Sequence, residues 1–177
     1  AFGGHENFAN LLRFLAHAGL GADTDPAPPR EMPWQGLYHP AAPADHFPDR
    51  AAYLDWYAGH AAAQGLDNAP WVGLLLGRHY WVNRATEVED ALIPALEAKG
   101  LRVLAAFSNS MADAALGNQG ALATVEEVFL DPGGPRIATL VKLQSFFLGN
   151  RKGDDTTDGS KAQDGAEGVK LGAFSYM

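Results

Sequence analysis

Two continuous apolar runs constrain this chain more than anything else in it: WVGLLLG at 71 to 77 and RVLAAFS at 102 to 108. An unbroken apolar run bounded by turn residues suits a strand covered on both faces, whereas a strand with one wet face would alternate. Between the runs, Val88, Leu92 and Leu96 recur at helical spacing, Thr86 and Glu89 have the interval of a capping box, and Lys99-Gly100 ends the pattern. Strand, helix, strand in that order is a βαβ unit with a right-handed crossover and a parallel pair. Pro94 lies inside the helix and deletes one of its hydrogen bonds, a loss of roughly 3 kcal/mol that needs a kink or tertiary compensation.

IATLVKLQSFFLG at 137 to 149 supplies a third strand, and another helix is expected over 121 to 130. The fold class that follows is α/β: a small, open, doubly wound, mostly parallel sheet of flavodoxin or Rossmann type, with an N-terminal helical and extended segment. Three strands make a small sheet, so residues 1–70 are expected to pack across one edge of it, as one structural unit with the α/β domain at 71–177.

In that N-terminal part, Phe8, Leu11, Leu12 and Leu15 form one helical stripe expected to face the core, with Gly19 as the stop. Leu20 to Phe47 has no period of 2 or 3.6 and is expected to run as extended coil. Asp49, or the Phe47-Pro48 pair, opens a second helix that runs to about Gln64, with Ala51, Leu54, Tyr57 and Ala58 inward and Gly65 at its end. The polar stretch 151–168 reads as a loop insertion, and Val169 as the start of another helix. Within it Asp154, Thr156, Asp158 and Gly159 match the opening of a calcium loop, but Gly165 stands where the bidentate Glu is required.

A formal charge of −8 without any run of Lys or Arg argues against nucleic acid as a partner. The absence of cysteine removes disulfides and thiolate metal sites and suits a reducing compartment, the cytoplasm. No apolar run approaches the roughly 18 residues of a membrane span. The chain opens on Ala1 and not on Met, so it is expected to be an excised or processed piece. Ser108 and Ser110 lack a nucleophile elbow, and there is no phosphate loop.

Six histidines, at 5, 17, 39, 46, 60 and 79, include no pair one turn apart on a helix, so no zinc motif is present. RHYWVN at 78 to 83 joins a cation, an imidazole, two rings and an amide directly after a strand, at the end where open α/β sheets bind ligands. There Tyr80 or Trp81 would stack on a flat ligand, Arg78 would take a carboxylate, and Asn83 and His79 would supply further polar contacts. His39, and with it Trp34, lies in WQGLYHPAAPADHF, and Glu6 opens the first helix after GGH. A blander assignment makes the histidines surface or hydrogen-bonded residues and the Trp34, Tyr80 and Trp81 face a docking surface for neighbouring domains.

Taken in order, GGHENFANLLRFLA, WQGLYHPAAP, YLDWY, VGLLLGRHYWVN, DALIPALEAKGLRVLAAFS and LVKLQSFFLG resemble the large subunit of the cobaltochelatase and magnesium chelatase family. The resemblance covers nearly all of residues 3 to 149 and is closest to the cobalt-type branch over RHYWVN and DALIPALEAKGL. It implies a section of a very large tetrapyrrole-binding subunit that inserts a divalent metal, Co2+ before Mg2+, with ATP hydrolysed on AAA+ partner subunits. His79, His39 and Glu6 are then the candidate catalytic residues, and Arg78, Tyr80, Trp81, Asn83 and Trp34 the candidate ligand contacts. Two departures stand out: Arg84 replaces a usual glycine, and Pro94 enters a helix usually free of proline.

Overall fold

The computed structural model of the chain describes residues 2–144. The polar stretch 151–168, the calcium-loop match within it and the helix expected from Val169 lie outside those residues. Five helices are described, α1 (His5–Leu20), α2 (Arg50–Gln64), α3 (Arg78–Val82), α4 (Glu87–Glu97) and α5 (Gly120–Phe129). The strands are β1 (Gly36–Leu37), β2 (Trp71–Gly77), β3 (Arg102–Ser108), β4 (Leu130–Asp131), β5 (Gly134–Pro135) and β6 (Thr139–Lys142).

The main sheet has the order β1-β3-β2-β6, with β2 parallel to both β3 and β6 and β1 antiparallel on the outer edge of β3. This is the expected mixed α/β fold with its βαβ unit, and the edge strand does come from residues 1–70. Both long strands are buried from their second residue onward. Side chains at 72, 74 and 76 of β2 and at 103, 105 and 107 of β3 join Trp81, Val82 and Ile93 on the α3 and α4 face. Leu75, Leu104 and Ala106 point the other way, into a core with Tyr53, Tyr57, Val125 and Phe129 from α2 and α5. The alternation explains the unbroken apolar runs, since each face of the sheet has its own cover.

Helix α2 begins as expected: Asp49 accepts a hydrogen bond from the Ala52 amide at 2.9 Å, and Gly65 closes the helix at φ 70°. Its inward face differs. Tyr53, Tyr57 and Ala61 are buried, while Ala51 and Ala58 are exposed and Leu54 is half-buried. The reason is polar as well as apolar: Tyr53 donates to the Val103 carbonyl at 2.9 Å, and Tyr57 accepts from the Val103 amide at 3.1 Å, so both hydroxyls are satisfied against β3.

Three further expectations are corrected. The apolar stripe of α1 does not face the core: Phe8 is 62%, Leu11 50%, Leu12 52% and Leu15 53% exposed. The helix is held instead through Asn7, which donates to the Arg30 carbonyl at 2.6 Å and accepts from the Arg30 amide at 2.8 Å, and it ends at Gly21 rather than Gly19. Thr86 makes no capping bond with its side chain; its hydroxyl donates to Asp90 at 3.0 Å and Glu89 is buried. Finally, the segment 20–47 is not wholly coil, because Gly36 and Leu37 pair with Phe107 and Ala106.

Pro94 is accommodated without a break in α4, on its exposed side. Gly36 is required by close approach. A Cβ there would lie 2.8 Å from the Phe107 ring and 3.0 Å from the Phe47 carbonyl oxygen. Gly36→Ala is therefore expected to lower stability by about 1–3 kcal/mol through overpacking, read as a fall in the urea midpoint at unchanged slope.

Candidate functional site

The strand β1 carries the GLYHP turn onto the edge of the sheet, and the polar geometry of the molecule concentrates around it. Leu37 pairs with both Ala106 and Phe47, so the chain enters and leaves Tyr38 to His46 at fixed points. His39 turns inward and is buried. Its Nδ1 accepts a hydrogen bond from the Ala41 amide at 3.1 Å. A ring nitrogen that accepts cannot carry the proton, so Nε2 is the protonated one and donates to Glu97 Oε1 at 3.1 Å.

Glu97, at the end of α4, is itself buried and accepts from Tyr57 at 2.6 Å as well, while His60 Nε2 stands 3.1 Å from the same oxygen and 2.7 Å from the Gln64 amide nitrogen. Burial works to raise its pKa, but the hydrogen bond from Tyr57 and the neighbouring His60 and His39 outweigh it and leave the group below its usual value. Burial lowers the pKa of His39 against the pull of Glu97, so the imidazole is neutral. Burial and the bond to Glu97 hold the Tyr57 hydroxyl protonated far above its usual range. Sequence spacing could not reveal this cluster, because residues 39, 57, 60 and 97 come from a turn and two separate helices.

Ligand atoms of His39, His60 and Glu97 all lie within 4.8 Å of one another, a separation that a metal ion can span. The donor set does not suit one. A cation at His39 Nε2 would move the proton to Nδ1, where it would face the Ala41 amide, donor against donor. The cluster is a hydrogen-bond hub.

Above the turn lies an open cavity of about 370 Å³. Three of the expected site residues line it, Glu6, His39 and Trp81, together with Tyr38, His46 and Asp90. Trp81 stacks on Phe107 at 4.1 Å and donates to the Asp45 carbonyl at 3.0 Å, which ties the turn to the sheet. His46 stands edge-on to Trp81 at 5.1 Å, and burial, with Arg30, lowers its pKa. Tyr38 donates to Asp90 at 2.5 Å; burial and this bond push its pKa to about 12. Glu6 pairs with Arg84 at 2.7 Å. Arg84 has φ 55°, a left-handed conformation that a glycine would adopt without strain.

The other expected site residues lie elsewhere. RHYWV is helical and forms α3. Arg78 is buried, donates to the carbonyls of Pro33 and Met32 at 2.6 and 3.0 Å, and stacks over Trp34 at 4.3 Å, so its charge is spent on holding the extended segment. His79 is exposed and packs on Tyr80 at 4.0 Å, and Asn83 donates to the His79 carbonyl at 2.9 Å. At the carboxyl ends of the strands, Gln144 donates to the carbonyls of Leu76 and Ser108 at 2.7 and 2.9 Å and bridges the ends of β2 and β3.

A doubly covered, mostly parallel sheet with a polar cavity at its antiparallel edge defines an α/β section with one candidate site. Its family is shown by sequence: the model of the CobN/magnesium chelatase family matches residues 1–174, and the chain belongs to that family of chelatase large subunits. An uncharacterised protein of Methanocaldococcus jannaschii is 30% identical over 142 residues, covering 80% of this chain and 11% of that protein. The chloroplastic magnesium-chelatase subunit ChlH of Oryza sativa subsp. indica is 29% identical over 155 residues, covering 82% of this chain and 10% of that subunit. A solved structure titled the catalytic subunit of cobaltochelatase from Mycobacterium tuberculosis aligns with a TM-score of 0.47 at 19% identity, over 80% of this chain and 9% of that one. The chain thus spans about a tenth of the curated relatives it matches.

The hub makes stability depend on pH. His39 and His46 have folded pKa values below the ordinary 6.5, so the unfolded chain binds more protons and stability falls as pH drops below about 6.5. Glu97 adds a further loss below 4.5, its ordinary value. The urea midpoint is expected to be flat from pH 7 to 8 and to decline below that window, with His39→Gln reducing the slope and leaving the part due to His46. Glu97→Ala, which leaves the buried His39 and Tyr57 donors without an acceptor, is expected to lose about 1–3 kcal/mol for each.

Proposed function

We propose that this chain is a tetrapyrrole-holding section of a chelatase large subunit, and that the cavity above the GLYHP turn receives part of the macrocycle. The observation that carries the reading is the cavity itself, where an indole face, a neutral imidazole and carboxylates converge in a chain of this family. The buried Trp81 contributes an apolar rim to the cavity and His46 an unprotonated nitrogen, while Asp90 favours cations.

Insertion exchanges two pyrrole N–H protons for one divalent metal, so the reaction needs proton acceptors close to the ring nitrogens. His46 serves as one such acceptor, and the carboxylate of Asp90 raises the local concentration of metal. His39 acts through Glu97 as a positioning residue for the turn. The substrate metal is Co2+ in preference to Mg2+, because RHYWVN and DALIPALEAKGL are closest to the cobalt-type branch. ATP hydrolysis belongs to separate AAA+ subunits in the cytoplasm, and the remaining domains of the large subunit complete the insertion centre.

An absorbance titration with a metal-free porphyrin checks the binding step. The account expects a saturable one-to-one shift of the main band, about tenfold weaker binding in His46→Ala, which corresponds to 1.4 kcal/mol, and none of that loss in His79→Ala. Loss in His79→Ala with His46→Ala unchanged would move the ligand to the carboxyl ends of the strands. No shift in the wild type would contradict ligand holding by these residues and favour a non-catalytic docking section.

A further inference from the structure

Arg30 lines the cavity, and its guanidinium has no partner among the described residues. Every other described arginine is engaged: Arg13 by Asn10, Arg50 and Arg136 by Asp131, Arg84 by Glu6, and Arg78 and Arg102 by backbone carbonyls. The backbone of Arg30 is fixed all the same. Its N–H donates to Asn7 Oδ1 at 2.8 Å and its carbonyl accepts from Asn7 Nδ2 at 2.6 Å, with Asn7 only 9% exposed. A side chain held at its root and unpaired at its head leaves a planar fork of N–H donors open, and that fork fits a carboxylate through two parallel hydrogen bonds.

We infer that Arg30 is the anion anchor of this cavity, taking a carboxylate carried on the rim of the flat ligand, so that the ligand belongs to the class of acidic macrocycles. The inference rests on the reading of the cavity as a macrocycle site. The carboxylate contact expected of Arg78 passes to Arg30, because Arg78 is buried and its donors face the carbonyls of Pro33 and Met32. Arg84, the other arginine of the cavity, is already taken by Glu6 at 2.7 Å, with Asp45 at 3.9 Å. Carboxylates outnumber arginines around the cavity, so position decides. Glu6 is matched by Arg84, and Asp90 lies on the Tyr38 side, where Tyr38 and Thr86 both donate to it. On the His46 side the balance is positive: after burial, the largest influence on His46 is the charge of Arg30, which outweighs the opposing charge of Asp45. The two sides of the turn therefore favour opposite charges, a cation toward Asp90 and an anion toward Arg30.

Two versions of one ring test the anchor: a metal-free porphyrin bearing propionate side chains, and the same porphyrin with each propionate converted to a neutral hydroxyethyl amide. Both are titrated at physiological ionic strength against the wild-type chain, Arg30→Gln, Arg30→Lys and Arg84→Gln. The wild type is expected to bind the propionate form about fivefold more tightly than the amide form, the upper range of an exposed ion pair, although its formal charge of −8 repels anions. Arg30→Gln is expected to bring the propionate form down to the affinity of the amide form, Arg30→Lys to restore part of the preference, and Arg84→Gln to retain it. These substitutions at position 30 keep the Asn7 clamp, which uses backbone atoms alone. Equal binding of the two forms by the wild type, or a preference that survives in Arg30→Gln, would overturn the anchor and leave the cavity as the macrocycle site. Loss of the preference in Arg84→Gln but not in Arg30→Gln would overturn it by moving the carboxylate to Arg84. Binding of neither form would overturn the anchor together with the cavity reading on which it rests.

Discussion

One buried carboxylate organises the N-terminal half of the molecule. Glu97 accepts hydrogen bonds from His39 on the extended segment and Tyr57 on α2, with His60 of α2 beside them, so a single group on α4 locks two elements to the sheet. A buried charge survives only with such donors, because desolvation alone would force it to take up a proton. Removing either donor weakens the hub, and removing the acceptor strands both. The apolar core could hold α2 against β3 without it, but nothing apolar would choose where the GLYHP turn sits.

The turn in turn decides where the cavity opens. With His39 drawn inward, Tyr38 and His46 face outward on either side, and the indole N–H of Trp81 fastens the Asp45 carbonyl between them. Arg78 fixes the start of the same segment through the Met32 and Pro33 carbonyls. The extended segment therefore needs no periodicity of its own, since its backbone is held by side chains from α1 and α3.

That division also accounts for what could be read from the residues alone. The two buried strands, the helix between them, the Asp49 cap and the Gly65 stop depend on local composition and were legible. The direction of α1 was not, because an apolar stripe specifies that a face is covered without naming the cover. Tyr53 and Tyr57 turned α2 away from the alanine face because their hydroxyls have partners on β3, and β1 is too short to carry a pattern. His60 and Glu97 escaped notice since their significance lies in a meeting with His39 across separate elements. RHYWVN was located correctly in the chain, yet its arginine serves the scaffold and only its Trp81 and Val82 reach the cavity.

The central claim is that Glu97 holds His39 as a neutral imidazole protonated at Nε2, and that this orients the cavity-lining turn. Nitrogen NMR of the imidazoles, followed from pH 5.5 to pH 8, tests it most directly. The account predicts that the His39 ring shows a protonated Nε2 and an unprotonated Nδ1 at pH 7, and that it remains neutral below the ordinary histidine value of 6.5. A ring protonated at Nδ1, or already an imidazolium at pH 7, would contradict the hub and the orientation of the turn built on it.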